Sequence, residues 1–153
     1  MIEIREGRLG KSVHAARHIG KGEVIFQGWG DTGPERSRHT FQIDHNTHIK
    51  IDSPIELVNH SCDPNCGLLI RIDARSVELH ALRDIKAGEE LLHDYAAFED
   101  DIQFMTGPCL CTAENCRGRI TGYQDLPADR REALGPYVAE YLRGVEAPVT
   151  IGR

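Results

Sequence analysis

Hydrophobic residues in this chain come in short runs and alternations, not in long helical stripes. Val24-Ile25-Phe26 is an apolar run between Gly22 and Gly28, while Phe41-Gln42-Ile43-Asp44 and His48-Ile49-Lys50-Ile51-Asp52 alternate. A period of two is the mark of half-buried strands. Residues 31–38, with Gly33-Pro34, predict a polar loop between the first two runs. Leu68-Leu69-Ile70-Arg71-Ile72 and residues 76–82 flank Asp73-Ala74-Arg75, which predicts a hairpin. Lys86-Ala87-Gly88-Glu89 predicts a further turn before Leu91-Leu92. Helical spacing is confined to the C-terminal part. Pro127 opens a short predicted helix through Leu134, because proline suits a first helical turn. Pro136 opens a second predicted helix, with Tyr137 and Tyr141, and Val138 and Leu142, at i, i+4, and with Gly144 placed to stop it. Short strands, many turns and little helix predict a mainly β fold with short C-terminal helices.

Composition narrows the function classes. The 153 residues are 40% hydrophobic and 27% charged, which suits one domain with a core. The net charge of −6 argues against a nucleic-acid surface and is compatible with a basic partner. No apolar run approaches the roughly 18 residues of a membrane helix. Met1-Ile2-Glu3-Ile4-Arg5-Glu6 has no signal-peptide core. The expectation is an intracellular chain, cytoplasmic or nuclear, without membrane contact. The composition leaves the oligomeric state open. His39, His45 and His48 fall in the predicted loop-and-strand region and are read as solvated.

Cysteine placement points to a metal. Three of the five cysteines occupy Cys109-x-Cys111-x4-Cys116, followed by Arg117-Gly118. In a reducing compartment such a cluster reads as a metal site before it reads as disulfides. The surrounding Thr106-Gly107-Pro108 and Thr112-Ala113-Glu114-Asn115 are polar turn-formers, so nothing but a metal would sequester these thiols. Structural zinc takes four ligands in a tetrahedron. The fourth comes from Cys62 or Cys66, both in Asn59-His60-Ser61-Cys62-Asp63-Pro64-Asn65-Cys66. Cys62 is the preferred ligand and Cys66 is read as a buried bystander. One structural Zn2+ per chain would tie residue 62 to the segment 109–116.

Four motifs, in order, then resemble one family. Asn59-His60-Ser61-Cys62-Asp63-Pro64-Asn65 is similar to the first SET-domain signature. Gly88-Glu89-Glu90-Leu91-Leu92-His93-Asp94-Tyr95 is similar to the second, which ends in the catalytic tyrosine. The cysteine cluster resembles the post-SET motif. Gly10-Lys11-Ser12-Val13-His14-Ala15 with Ile19-Gly20-Lys21-Gly22-Glu23 resembles the family's opening segment. The resemblance spans about residues 8–122. It divides the chain into a SET domain (1–105), a post-SET zinc segment (106–122) and a C-terminal helical extension (123–153). It implies small curved β-sheets with a pseudoknot between the two signatures.

By resemblance the chain is a protein-lysine N-methyltransferase using S-adenosyl-L-methionine, with a lysine-bearing protein or peptide, a histone tail among them, as substrate. The resemblance implies Tyr95 as the catalytic group and as a cofactor contact. Asn59 and His60 would bind the cofactor, with further contacts from Lys11, Ser12 and Val13. Leu110 and Cys111 would cover its adenine side once zinc orders the tail. The lysine channel would be lined by Trp29, His93 and Phe98, with Tyr123 either completing its wall or packing the C-terminal helices. The zinc ligands would be Cys62, Cys109, Cys111 and Cys116.

The chain departs from the family's pattern in four places. Ser12 replaces a second glycine, Glu56 an arginine and Gly28 a channel tyrosine, for which Trp29 would compensate. His93 replaces an aromatic residue that helps set the number of methyl groups; a polar ring there favours mono- or dimethylation. The alternative reading is a SET-like, zinc-stabilised peptide-binding module that is catalytically weak or inactive.

Overall fold

Alternation in the first fifteen residues folds the chain back on itself. β1 (Ile2–Gly7) and β2 (Gly10–Ala15) pair antiparallel, with Ile4 opposite Val13. The computed structural model describes residues 1–7, 9–52, 54–105 and 107–144. The signal for β1, Ile2-Glu3-Ile4-Arg5, is too short to predict a strand by itself.

The larger sheet is built from β3 (Val24–Gly33), β4 (Thr40–Asp44), β5 (Thr47–Ile51), β7 (Cys66–Arg71) and β8 (Ser76–Ala81), in the order β4-β5-β3-β8-β7. The β7–β8 hairpin lies where expected, with Leu68 opposite Leu79. β3 is longer than its apolar run predicts. It pairs with β8 through Val24–Trp29 and with β5 through Gly30–Gly33. Asp31 and Thr32, expected in a loop, are therefore in strand, because pairing with Lys50 and Ile49 uses only their backbone. Gly30 stands at the hand-over. A Cβ there would lie 1.8 Å from the Lys50 carbonyl oxygen. Gly30→Ala is expected to cost about 3 kcal/mol, the upper end of ordinary overpacking, read as a fall in thermal midpoint.

β5 is buried on both faces, since the adjacent His48 and Ile49 are both inaccessible. His48 is thus not solvated as expected, whereas His39 and His45 are exposed. Burial pushes the His48 ring below its ordinary value, and both ring nitrogens lack a hydrogen-bond partner among the described residues.

The C-terminal part joins the same core. Tyr123, Leu126, Leu134, Val138 and Leu142 pack with the strand residues Ile43, Ile49, Leu68 and Leu79. α1 (Ala128–Leu134) forms as predicted and ends at Gly135, whose φ of 55° is in the left-handed region. The second predicted helix does not form. Past Pro136 the chain runs irregularly into a 3-10 turn, Glu140–Leu142. Sheet contacts satisfy the apolar stripe instead: Tyr137 lies against Gly67, and the Ala139 N–H donates to the Ala97 carbonyl rather than within a helix. The predicted extension beyond Gly144 falls outside the described residues. No helix among the described residues is long and apolar enough to cross a membrane.

Two short strands, β6 (Asn59–His60) and β9 (Leu92–His93), pair in parallel, Asn59 with Leu92 and His60 with His93. The two signature segments therefore lie side by side. Asn65 braces them: its side chain donates to the Glu90 carbonyl (2.8 Å) and accepts from the Leu92 N–H (2.9 Å).

Candidate active site and metal centre

β9 leads directly into a 3-10 turn, Tyr95–Ala97, capped by Asp94, whose carboxylate accepts the Ala96 N–H at 3.0 Å. The turn sets Tyr95 in the wall of an open cleft, lined among others by Phe41, Val58, His93, Tyr95, Phe98 and Phe104. Aromatic rings pack closely in that wall. His93 stacks on Phe98 (centroids 5.4 Å, 21°), lies 5.0 Å from Tyr95, and Phe41 meets Phe98 edge-on at 5.2 Å.

Hydrogen bonds settle the polar atoms there. The Tyr95 hydroxyl donates to the Val58 carbonyl (3.3 Å), leaving its lone pairs free to accept. Burial pushes this phenol up to about 12, so it stays protonated at neutral pH. His93 Nε2 also lies 3.2 Å from the Val58 carbonyl. A carbonyl only accepts, so Nε2 carries the proton and Nδ1 presents a lone pair. Burial pushes His93 down to about 3, which keeps the ring neutral, and Nδ1 has no partner among the described residues. Two acceptors, Tyr95 Oη and His93 Nδ1, thus belong to one aromatic cluster.

Beside this turn the four expected thiols converge. Cys62, Cys109, Cys111 and Cys116 place their sulfurs within 4.8 Å of one another, and Cys62 Sγ to Cys109 Sγ is 3.9 Å. A tetrahedral zinc with Zn–S of about 2.3 Å requires sulfurs about 3.8 Å apart, so the residues fit the ion. The Arg117 and Gly118 N–H groups donate to Cys62 Sγ and Cys116 Sγ, each at 3.4 Å, as suits thiolates. Burial pushes the bare Cys62 thiol up; a divalent cation reverses that preference. Cys66 lies apart in β7, buried in the core.

His60 joins the two regions. Its Nδ1 accepts the Tyr95 N–H (3.2 Å), so its Nε2 bears the proton and donates to Cys62 Sγ (3.5 Å). Burial holds it neutral, down to about 4.

The remaining expected residues divide. Asn59 donates to the Lys11 carbonyl (3.2 Å) and to Glu90 Oε1 (3.0 Å), so Lys11 and Asn59 do come together. The Ser12 hydroxyl is engaged by the Arg5 carbonyl and His14. Val13 is fully buried and its carbonyl accepts the Leu91 N–H. Leu110 is exposed and Cys111 half-buried. His93 and Phe98 line the cleft, but Trp29 does not. Successive strand residues face opposite ways: Gly28 is buried and Trp29 is 61% exposed. Trp29 instead lies in a neighbouring depression with Asp31, Lys50 and Asp52. Tyr123 also stays out of the cleft lining. It is buried in the core with the Arg131 guanidinium 4.0 Å over its ring, the packing role of the two expected.

Sequence reasoning missed Val58, Asp94 and Arg117. Val58 acts through its carbonyl, which leaves no mark in a sequence. Asp94 stands inside the second signature and Arg117 directly after Cys116, so position alone could have flagged both.

Comparison with known proteins bears on family and fold. The family model described as SET domain matches residues 10–96. The chain is 40% identical over 87 residues to "Histone-lysine N-methyltransferase, H3 lysine-4 specific" of Saccharomyces cerevisiae, covering 54% of this chain and 8% of that protein. It is 34% identical over 89 residues to "Histone-lysine N-methyltransferase SETD1B" of Homo sapiens, covering 55% and 4%. It therefore spans under a tenth of these relatives' length. Among solved structures, that of KRYPTONITE in complex with mCHG DNA and SAH matches with a TM-score of 0.64 at 26% identity, over 78% of this chain and 28% of that one. A putative histone methyltransferase of Plasmodium falciparum matches with a TM-score of 0.53 at 20% identity, over 62% of this chain and 96% of that one; at that identity the likeness speaks for the fold.

Proposed function

Because this chain belongs to the SET-domain family, we propose that it methylates the ε-amine of a lysine in a protein or peptide, with S-adenosyl-L-methionine as donor. The cofactor supplies an electrophilic methyl group when bound. Asn59, Lys11 and the backbone of His60 would hold it on one side, with Leu110 and Cys111 closing over it from the zinc-bound tail. The observation that carries the reading is Tyr95 in the cleft wall, its hydroxyl tied to the Val58 carbonyl beside Phe41, His93 and Phe98.

The chemistry asks three things of these residues. The amine must be neutral, although lysine's reference pKa is about 10.4. Phe41, Phe98, the buried His93 ring and the half-buried Tyr95 ring favour that by disfavouring an ammonium. The amine must be aimed. Tyr95 Oη, fixed by its bond to Val58, would accept an amine N–H and turn the nitrogen lone pair towards the methyl group. Water must be excluded, which the aromatic wall would do once cofactor and peptide fill the cleft.

His93 bears on the number of methyl groups. Its Nδ1 would accept a second N–H of the amine or hold a water, and both are lost as methyl groups replace hydrogens. Mono- or dimethylated product is expected. His93→Phe removes one hydrogen bond, worth about 1 kcal/mol, and should raise the share of higher methylation states by about fivefold, since a full decade needs about 1.4 kcal/mol, read by mass spectrometry of the product peptide. An unchanged distribution would remove His93 from this role.

A histone tail is the substrate suggested by the relatives' names, and such a substrate would place the chain with chromatin. The test is transfer of a labelled methyl group to a panel of lysine-bearing proteins that includes histone H3, with Tyr95→Phe as control. Labelling above that control is expected. Cofactor binding without labelling would favour a peptide-binding module instead.

A further inference from the structure

Arg117 follows the last cysteine of the cluster, yet its side chain does not turn to solvent. It crosses to the Tyr95 turn and makes a two-pronged bond with Asp94: Nη1 to Oδ2 at 2.8 Å and Nη2 to Oδ1 at 2.9 Å. Both side chains are largely inaccessible, 13% and 3% exposed. Asp94 spends the same carboxylate on the Ala96 N–H, inside the turn that carries Tyr95. Arg117's own N–H donates to Cys62 Sγ. One residue therefore holds a metal ligand with its backbone and the cap of the catalytic turn with its side chain.

Alternatives for Asp94 are few. The nearby His60 Nδ1, 3.6 Å away, is no cation, because it accepts the Tyr95 N–H. Arg117 is the charge that compensates this buried carboxylate. Without it an uncompensated anion would sit next to Tyr95, and burying an unpaired charge is costly enough to drive local rearrangement.

We infer that Arg117 is a positioning residue that transmits the order of the zinc-bound tail to the Tyr95 turn, and so sets the rate of methyl transfer; this rests on the function proposed above. Arg117 touches neither reacting atom. It works through Asp94, and the planar fork of arginine matches a carboxylate in a way that lysine's point charge does not.

The test uses the zinc-loaded full chain and the variants Arg117→Met, Arg117→Lys and Arg117→Met with Asp94→Asn. Zinc content, kcat and KM for peptide, and amide exchange of the peptide segment 94–98 are measured on each. With zinc retained, Arg117→Met should lower kcat by about 30-fold, in the range seen when a group supporting a site is removed, with KM nearly unchanged. Exchange in 94–98 should rise by at least about tenfold, the equivalent of one lost hydrogen bond. Arg117→Lys should recover part of kcat. The double variant, which buries no lone charge, keeps the comparison available if Arg117→Met fails to fold; it should fold, keep zinc and still lack the full kcat. Unchanged exchange and kcat with zinc retained would overturn the inference, and so would a rise in KM alone. If the unmodified chain transfers no methyl group, the proposed function fails, while the exchange measurement still decides whether Arg117 orders the turn.

Discussion

Tyr95→Phe is expected to lower kcat for methyl transfer by about 10²- to 10³-fold, the loss usual for one preorganised hydrogen-bonding group at a reacting centre. The substitution keeps the ring and its packing against His93 and Phe98, so the fold should persist. What disappears is the oxygen that donates to Val58 and presents lone pairs to the cleft. Zinc content and cofactor binding should be unchanged, because the Tyr95 contact to His60 is made by the backbone N–H. The pH profile separates this role from general-base catalysis. Burial pushes the phenol up to about 12, so Tyr95 should not titrate between pH 7 and about pH 10. kcat/KM should rise across that range as the substrate lysine loses its proton, and Tyr95→Phe should lower the curve without changing its shape. A variant that retained more than about a third of the rate would leave Tyr95 without the assigned role.

Chemistry concentrated in a few neighbouring residues was legible in the sequence; chemistry made by long-range pairing was not. Cys109-x-Cys111-x4-Cys116 could be read because thiols in a polar loop have few other uses, and Cys62 does complete the set. The β7–β8 hairpin and α1 were legible because turn residues and caps act within a few positions. The second C-terminal helix was predicted from a stripe that is real but faces the sheet from an irregular segment, where Tyr137 packs on Gly67. Trp29 looked able to replace a channel residue at 28 only until strand alternation placed it on the other face. His48 looked polar and free, but β5 is covered on both sides. The Arg117–Asp94 pair joins two familiar motifs, and nothing in either motif says that they meet. Tertiary pairing of this kind becomes visible only once β6 and β9 lie side by side and bring Cys62 and Asp94 both within reach of Arg117.

Removing zinc should therefore do more than loosen a tail. Structural zinc supplies on the order of 10 kcal/mol of folding free energy at neutral pH. Here that energy holds a segment with few core residues of its own: between Gly107 and Ile120 no residue is fully buried. The freshly purified chain is expected to carry one zinc ion, as four thiolates require. On chelation, Arg117 and Arg119 should become open to trypsin, while the five-stranded sheet keeps its circular dichroism, since its core is built from Ile43, Ile49, Leu68, Val77 and Leu79 without the cysteines 109, 111 and 116. Methyl transfer should fall to the level of Tyr95→Phe or below, because two links to the catalytic turn are lost together. One runs from Cys62 Sγ through His60 to the Tyr95 N–H, the other from Arg117 through Asp94 to the Ala96 N–H. Cys116→Ser should reproduce the effect and Cys66→Ser should not, because Cys66 stands outside the cluster. Much less than one zinc per chain would sink the four-cysteine site; full activity with zinc gone would break the connection drawn here between the metal and Tyr95.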